Sequence, residues 1–218
     1  MRYIVIPAYN EARAIKTVIK ELQKNKYKHI IVVDDCSSDN TKELAKKAGA
    51  IVLRHPINRG QGAALRTGIE YALEKKATEI ITFDADGQHR ATDIKALCEG
   101  LKTHEVALGS RFLSKKSNIP LSKEITLKGA IFLTWVLSGI KLTDTHNGLR
   151  ALRRSAAEKI HITFDGFEHA SEILHEIARK KISYVEIPVY IDYTAYSLQK
   201  GQRISNALRI LSRMILRK

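Results

Sequence analysis

The first half of the chain alternates between two kinds of hydrophobic pattern. Short, almost wholly apolar runs recur at Tyr3–Pro7, His29–Val33, Ala50–Leu53, Ile80–Phe83 and Val106–Leu108. Runs of this kind fit strands buried on both faces of a parallel sheet. Between them apolar residues return at helical spacing: Ile15, Val18, Ile19 and Leu22, then Leu65, Ile69 and Leu73, then a segment from Ala91 to Leu101. Ser37, Ser38, Asp39, Asn40 and Thr41 supply N-cap chemistry ahead of a further helix. Strands alternating with helices at this spacing predict βαβ units. The fold class is therefore α/β, with right-handed crossovers and a mostly parallel sheet covered on both faces.

Beyond Arg111 the alternation stops. Ser114–Glu124 reads as a basic, polar linker, and Ile125–Leu142 as a helix apolar over most of its surface. A polar loop runs from Thr143 to Arg150, with Gly148 placed for a turn. A helix is expected from about Glu168 to Lys180. Tyr184–Ile191 then reads as a strand pair or a bent edge strand around Pro188. Ile204, Leu208, Leu211 and Ile215 form one stripe on a last helix, flanked by Arg203, Arg209, Arg213, Arg217 and Lys218. The expected organisation is one domain over 1–193, with halves 1–112 and 113–193, and a basic amphipathic segment over 194–218.

Charge narrows the partners. With 218 residues and a formal charge of +14 the chain suits a polyanion: nucleic acid, anionic lipid or a phosphorylated substrate. Nucleic acid is disfavoured, because no recognition-module spacing is present and the acids gather at one sheet edge. Cys36 and Cys98 lack motif spacing, so neither a zinc site nor a disulfide framework is implied, and a reducing interior fits. No signal peptide precedes the first strand, and the apolar run Gly129–Ile140 is too short to span a bilayer. A soluble or peripheral protein is expected.

Ligands on such sheets sit at the carboxyl ends of the strands. Those ends read Pro7-Ala-Tyr9-Asn10-Glu11, Asp34-Asp35, Asp84-Ala85-Asp86-Gly87-Gln88-His89 and Gly109-Ser110-Arg111. Strand periodicity sends Asp84 and Asp86 to one side of the backbone. Two hard oxygen donors there suit Mg²⁺ or Mn²⁺ completed by a substrate diphosphate. An EF-hand is excluded, since His89 and Lys95 occupy the positions where its Gly and Glu belong. A plain solvated turn is the alternative. Gly60 and Gly62 read either as a phosphate nest or as a tight helix entry.

Together these pieces resemble the family 2 glycosyltransferases of GT-A fold, nearest the polyprenyl (dolichol)-phosphate mannosyl- and glucosyltransferases. The resemblance is carried in order and spacing by Pro7–Glu11, Val32–Asp35 with Ser37 and Asp39, Asn58–Gly62, Asp84–His89, Gly109–Arg111, and Asp144 through Gly148-Leu149-Arg150. Tyr196–Gln202 is similar to the C-terminal segment of the same group.

The resemblance implies a nucleotide sugar, GDP-mannose or UDP-glucose, held by Pro7, Tyr9, Glu11, Val33, Asp34, Asp35, Asp84 and Ala85. It implies Mg²⁺ or Mn²⁺ on Asp84, Asp86 and Gln88. Helix capping is the alternative task for Asp34 and Asp35, but Ser37 or Ser38 is available for that, which favours the binding role. Catalytic roles fall to Asp86, Arg111 and Asp144, and a polyprenyl-phosphate acceptor to Arg111, Lys123, Lys200 and Arg203, with Lys128 as a helper. Transfer with inversion is implied, at the cytoplasmic face of an anionic membrane surface, with a membrane-protein partner as a further expectation. An acceptor phosphate needs no general base; a hydroxyl acceptor would need one from Asp144, Glu168 or Glu172. Lys123 stands where the group usually has arginine, and Glu168 where dolichol-phosphate mannose synthases commonly have lysine.

Overall fold

The computed structural model describes residues 1–114, 139–145 and 147–193, together with positions 129, 131 and 135. The apolar runs become β1 (Arg2–Ala8), β2 (Ile30–Asp34), β3 (Ile51–Arg54), β4 (Glu79–Thr82) and β5 (Val106–Ser110). The helical patterns become α1 (Ile15–Lys24), α2 (Thr41–Lys47), α3 (Gln61–Glu74) and α4 (Ile94–Gly100), the last entered through a 3₁₀ turn at Ala91–Asp93. Then come β6 (Arg150–Arg153), α5 (Arg154–Lys159), α6 (His169–Arg179) and β7 (Tyr184–Pro188).

One seven-stranded sheet has the order β3-β2-β1-β4-β6-β5-β7. β1, β2, β3 and β4 pair in parallel, as do β5 and β7, while β6 runs antiparallel between β4 and β5. The chain winds outward from β1 to β3 and then returns to β4 on the other side of β1. In sheets of this kind such a reversal, here at the carboxyl ends of β1 and β4, is where ligands bind.

Strand alternation builds a core on each face. Tyr3, Val5, Ile31, Val33, Ile80 and Leu152 pack under α3, α5 and α6, and Ile4, Ile6, Ile30, Val32 and Ile81 under α1 and α4. Ile15, Val18, Ile19 and Leu22, all buried, are the stripe that fixes α1 to its face. Each such side chain contributes about 1.5–3 kcal/mol when taken fully out of water.

Two expectations change. Residues 150–153 form a central strand rather than the end of a loop; arginines at both ends hide it, and only pairing with both neighbours makes it a strand. The helix expected through Leu142 ends earlier: Gly129, Ile131 and Trp135 are helical, whereas residues 139–142 are not, and Ile140 and Leu142 reach the core from irregular chain. β7 is an edge strand of the sheet, at the end opposite β3, and Ile191 then bridges to His89. The last helix, 203–218, lies outside the described residues.

Candidate active site

β4 ends at Thr82, so strand alternation does not govern the Asp pair; Ala85 and Asp86 sit in a turn, and that turn brings the carboxylates together. Asp84 accepts from His89 Nε2 at 2.9 Å and from Gln61 Nε2 at 3.3 Å. Burial works against its charge, but the hydrogen bond from His89 and the charge of Arg150 help to outweigh it and hold the carboxyl below its ordinary value. Asp86 goes the other way. Burial and the neighbouring Asp84 push it up to about 6. One oxygen of Asp86 accepts the Gln88 backbone N–H at 3.0 Å, while Gln88 Nε2 and His89 Nδ1 are buried with no hydrogen-bond partner.

These residues fit a hard divalent cation. Two carboxylates held against their mutual repulsion are what a dication relieves. Gly148 supplies the clearance, since a Cβ there would overlap the Asp84 carboxylate. Among the described residues no three His, Cys, Asp or Glu side chains gather around one point, so further ligands would be Gln88 and oxygens of a bound molecule.

The loop after β1 forms the opposite wall. Asn10 takes a left-handed backbone, φ 54°, fixed by its N–H to Ser37 Oγ and its amide oxygen from Ser38 N. Tyr9 is 48% exposed at this edge, while Glu11 is buried and donates its N–H to Thr41 Oγ1. The side chains of Val33 and Ala85 both lie in the apolar core.

Asp35 has a task that the sequence did not suggest. Its carboxylate, 3% exposed, accepts from His55 Nδ1 at 2.7 Å, Arg59 N at 3.0 Å and Gly60 N at 2.6 Å. It caps no helix of its own; it ties β2 to the entry of α3. Asp34 is buried too, accepting from Ser37 N and facing Arg54 at 3.5 Å. Capping of α2, the alternative task for Asp34 and Asp35, falls to neither: Asp39 Oδ1 accepts the Thr41 N–H at the start of that helix. The nest reading of Gly60 and Gly62 yields to its alternative. Gly62 N and Ala63 N both donate to the Asp165 carbonyl, at 2.8 and 3.2 Å, and a Cβ on Gly62 would overlap the Phe164 carbonyl oxygen. This is a tight helix entry.

On the far side, Arg111 and Asp144 form a buried ion pair, Nε to Oδ2 at 2.6 Å, with Arg111 Nη1 donating to Tyr193 at 3.0 Å. Glu186 on β7 accepts from Thr143 N and Asp144 N, fixing that loop. Glu172, a candidate base, accepts from Thr163 and Phe164 N–H instead. Glu168 is buried at the start of α6. Beside it, burial pulls His169 down to about 4, so its imidazole is neutral at pH 7. Lys123, Lys128, Lys200 and Arg203 lie outside the described residues. The sequence reading missed His55, Gln61, His169, Glu186 and Tyr193; of these, only His169, beside Glu168 at a predicted helix start, carried a local signal.

The model of one protein family, Glycosyl transferase family 2, matches residues 3–161. The chain belongs to this family. As a family 2 glycosyltransferase it is 40% identical to an uncharacterized protein of Methanocaldococcus jannaschii, over 99% of this chain and 91% of that one. It is 35% identical to a UDP-N-acetylglucosamine–dolichyl-phosphate N-acetylglucosaminyltransferase of Methanococcus voltae, over 99% and 95%. A dolichol-phosphate mannosyltransferase of Pyrococcus furiosus is 31% identical over 97% of this chain and 63% of its own length. Glucosyl-3-phosphoglycerate synthase from Mycobacterium tuberculosis, solved with Mn²⁺, UDP and phosphoglyceric acid, superimposes with a TM-score of 0.75 at 16% identity, covering 99% of this chain and 76% of that one. At that identity the likeness shows the GT-A fold.

Proposed function

We propose that this enzyme moves a sugar from a nucleotide sugar to the phosphate of a polyprenyl lipid, with inversion at the sugar carbon. The observation that carries the acceptor class is the commitment of the nearby acids. Of the three candidate bases, Asp144 is spent on Arg111, Glu172 on the 163–164 backbone, and Glu168 is buried at the start of α6, so none of them stands open to take a proton from a hydroxyl. An acceptor phosphate is already an anion and needs no base. The bond from the sugar carbon to the diphosphate breaks as the bond to the acceptor phosphate oxygen forms, and no proton changes place. Arg111, held in orientation by Asp144 and Tyr193, is the cation that brings two anions together. When bound at Asp84, Asp86 and Gln88, Mg²⁺ or Mn²⁺ would neutralise charge on the leaving diphosphate. Pro7, Tyr9 and Glu11 form the nucleotide wall, and Asp35 holds the Asn58–Gly60 loop against it. Residues 1–112 serve the donor and 113–193 the acceptor, with Arg111, at the end of the first half, reaching across to the acceptor.

A lipid acceptor calls for a place at the headgroups. No helix among the described residues is long and apolar enough to cross a membrane. α1 and α2 pack against each other and carry six lysines, Lys16, Lys20, Lys24, Lys42, Lys46 and Lys47, against Glu21 and Glu43. α3, α5 and α6, on the other face of the sheet, balance four cations with five acids. The one-sided charge supports a peripheral position on an anionic surface, and the free thiols of Cys36 and Cys98 suit its cytoplasmic side.

Calorimetry with Mn²⁺ tests the donor, with UDP-N-acetylglucosamine placed beside GDP-mannose and UDP-glucose because of the Methanococcus voltae relative. Transfer is then followed onto a short-chain polyprenyl phosphate and onto the matching alcohol. Transfer to the alcohol alone, or no metal-dependent binding of any donor, overturns the reading.

A further inference from the structure

Arg150 opens β6 in register with Thr82 of β4 and Leu108 of β5. It therefore stands between the strand that leads to Asp84 and the strand that leads to Arg111. Its side chain is buried, donating from Nε to the Asn147 carbonyl at 3.1 Å and from Nη2 to the Ala170 carbonyl at 3.4 Å. Asn147 also approaches the acceptor-side pair, its Nδ2 lying 3.5 Å from Asp144 Oδ2. Among the described residues no carboxylate comes within ion-pair distance of Arg150. A guanidinium has five N–H donors, and a buried cation costs several kcal/mol unless charge nearby compensates it. Burial brings Arg150 down to about 10, with Asp84 and Asp144 as the charges that push back. Arg150 is thus a fixed positive charge that faces both halves of the site and is bonded to neither acid.

We propose that Arg150 is a positioning residue that makes divalent-cation binding at Asp84 and Asp86 conditional on the nucleotide diphosphate. The proposal rests on the metal-dependent reading above. Its sign follows from charge. The attraction of Arg150 for Asp84 is the same with and without the cation and drops out of its binding; what remains is repulsion of a doubly charged cation placed beside that carboxylate, so the effect of Arg150 on a bare dication is unfavourable. A diphosphate arriving with the cation reverses the balance, because the same guanidinium attracts it. By reciprocity, whatever Arg150 adds to the diphosphate's help for the cation it also adds to the cation's help for the diphosphate.

The test counts free Mn²⁺ by electron paramagnetic resonance at pH 8, well above the value of about 6 that Asp86 reaches, so that proton competition stays small. Wild type, Arg150→Met, Arg150→Gln and Arg150→Lys are titrated with and without UDP, with folding checked by circular dichroism. Arg150→Gln keeps an amide donor for the Asn147 carbonyl and is the second neutral variant should methionine not fold. Both neutral variants are expected to bind bare Mn²⁺ roughly fivefold tighter and to lose about tenfold of the enhancement that UDP gives. Arg150→Lys, which keeps the charge, is expected to stay within about twofold of wild type. Folded neutral variants that bind bare Mn²⁺ as weakly as wild type, or more weakly, overturn the proposal and leave Arg150 a structural residue. Wild type that binds no Mn²⁺ with UDP, nor with GDP in its place, overturns the metal reading itself.

Discussion

Replacing Asp35 with asparagine separates two roles that a carboxylate at the end of β2 could have. Three donors converge on it: His55 Nδ1 and Arg59 N on Oδ1, and Gly60 N on Oδ2 at 2.6 Å. Asparagine keeps one acceptor oxygen and turns the other into a donor. Its best orientation leaves the oxygen facing His55 and Arg59 and sets an NH₂ against the Gly60 N–H. One hydrogen bond to a charged acceptor is then lost, about 1.5–3 kcal/mol, and two are weakened. With the carboxylate 3% exposed, solvent does little to replace them. The expected loss is about 2–4 kcal/mol of unfolding free energy, or about 4–16 °C in Tm for a chain of this size. Denaturant unfolding measures the first and a thermal melt the second, with nucleotide affinity taken on the folded variant. A variant of unchanged stability that no longer binds nucleotide would falsify the tethering role and return Asp35 to direct ligand contact.

Asp86→Asn removes the charge that completes the cation site, so Mn²⁺-dependent nucleotide affinity measured by calorimetry should fall at least tenfold, about 1.4 kcal/mol. In the wild type, protons compete with the cation for Asp86, whose value is about 6; affinity should be flat above pH 7 and fall as pH drops through 6, to roughly a tenth of the plateau by pH 5. A pH profile without that limb refutes the assignment. Gly62→Ala drives a methyl into the Phe164 carbonyl, and the shift needed to accommodate it should cost about 1–3 kcal/mol in denaturant unfolding. Arg111→Ala leaves Asp144 buried without its partner, a loss of about 3–5 kcal/mol. Arg111→Lys, the folded comparison, should retain nucleotide-sugar binding and lose transfer; collapse of donor binding instead would assign Arg111 to the diphosphate pocket.

What the sequence determined is what depends on local pattern. Apolar runs too short for helices and too dense for one-sided strands had to be buried on both faces, which makes a parallel sheet with helices above and below. Polar residues at the ends of those runs had to collect at one edge, so Pro7–Glu11, Asp84–Gln88 and Arg111 were legible as neighbours on that edge. The tertiary structure decided whatever depends on which groups face each other. β6 is a strand because its backbone groups meet β4 and β5 on both sides, and Arg-Ala-Leu-Arg by itself says nothing of that. Asp84 and Asp86 meet through a turn, since β4 stops two residues before the first of them. Asp34-Asp35 reads as a pair of available acids, yet a buried carboxylate takes the donors that surround it. Those surrounding Asp35 come from His55, Arg59 and Gly60, twenty or more residues along the chain. Arg150 reads as the end of a polar loop. Only the sheet shows it to be a buried cation set between the acids of the two halves, because a charge acquires its neighbours through folding.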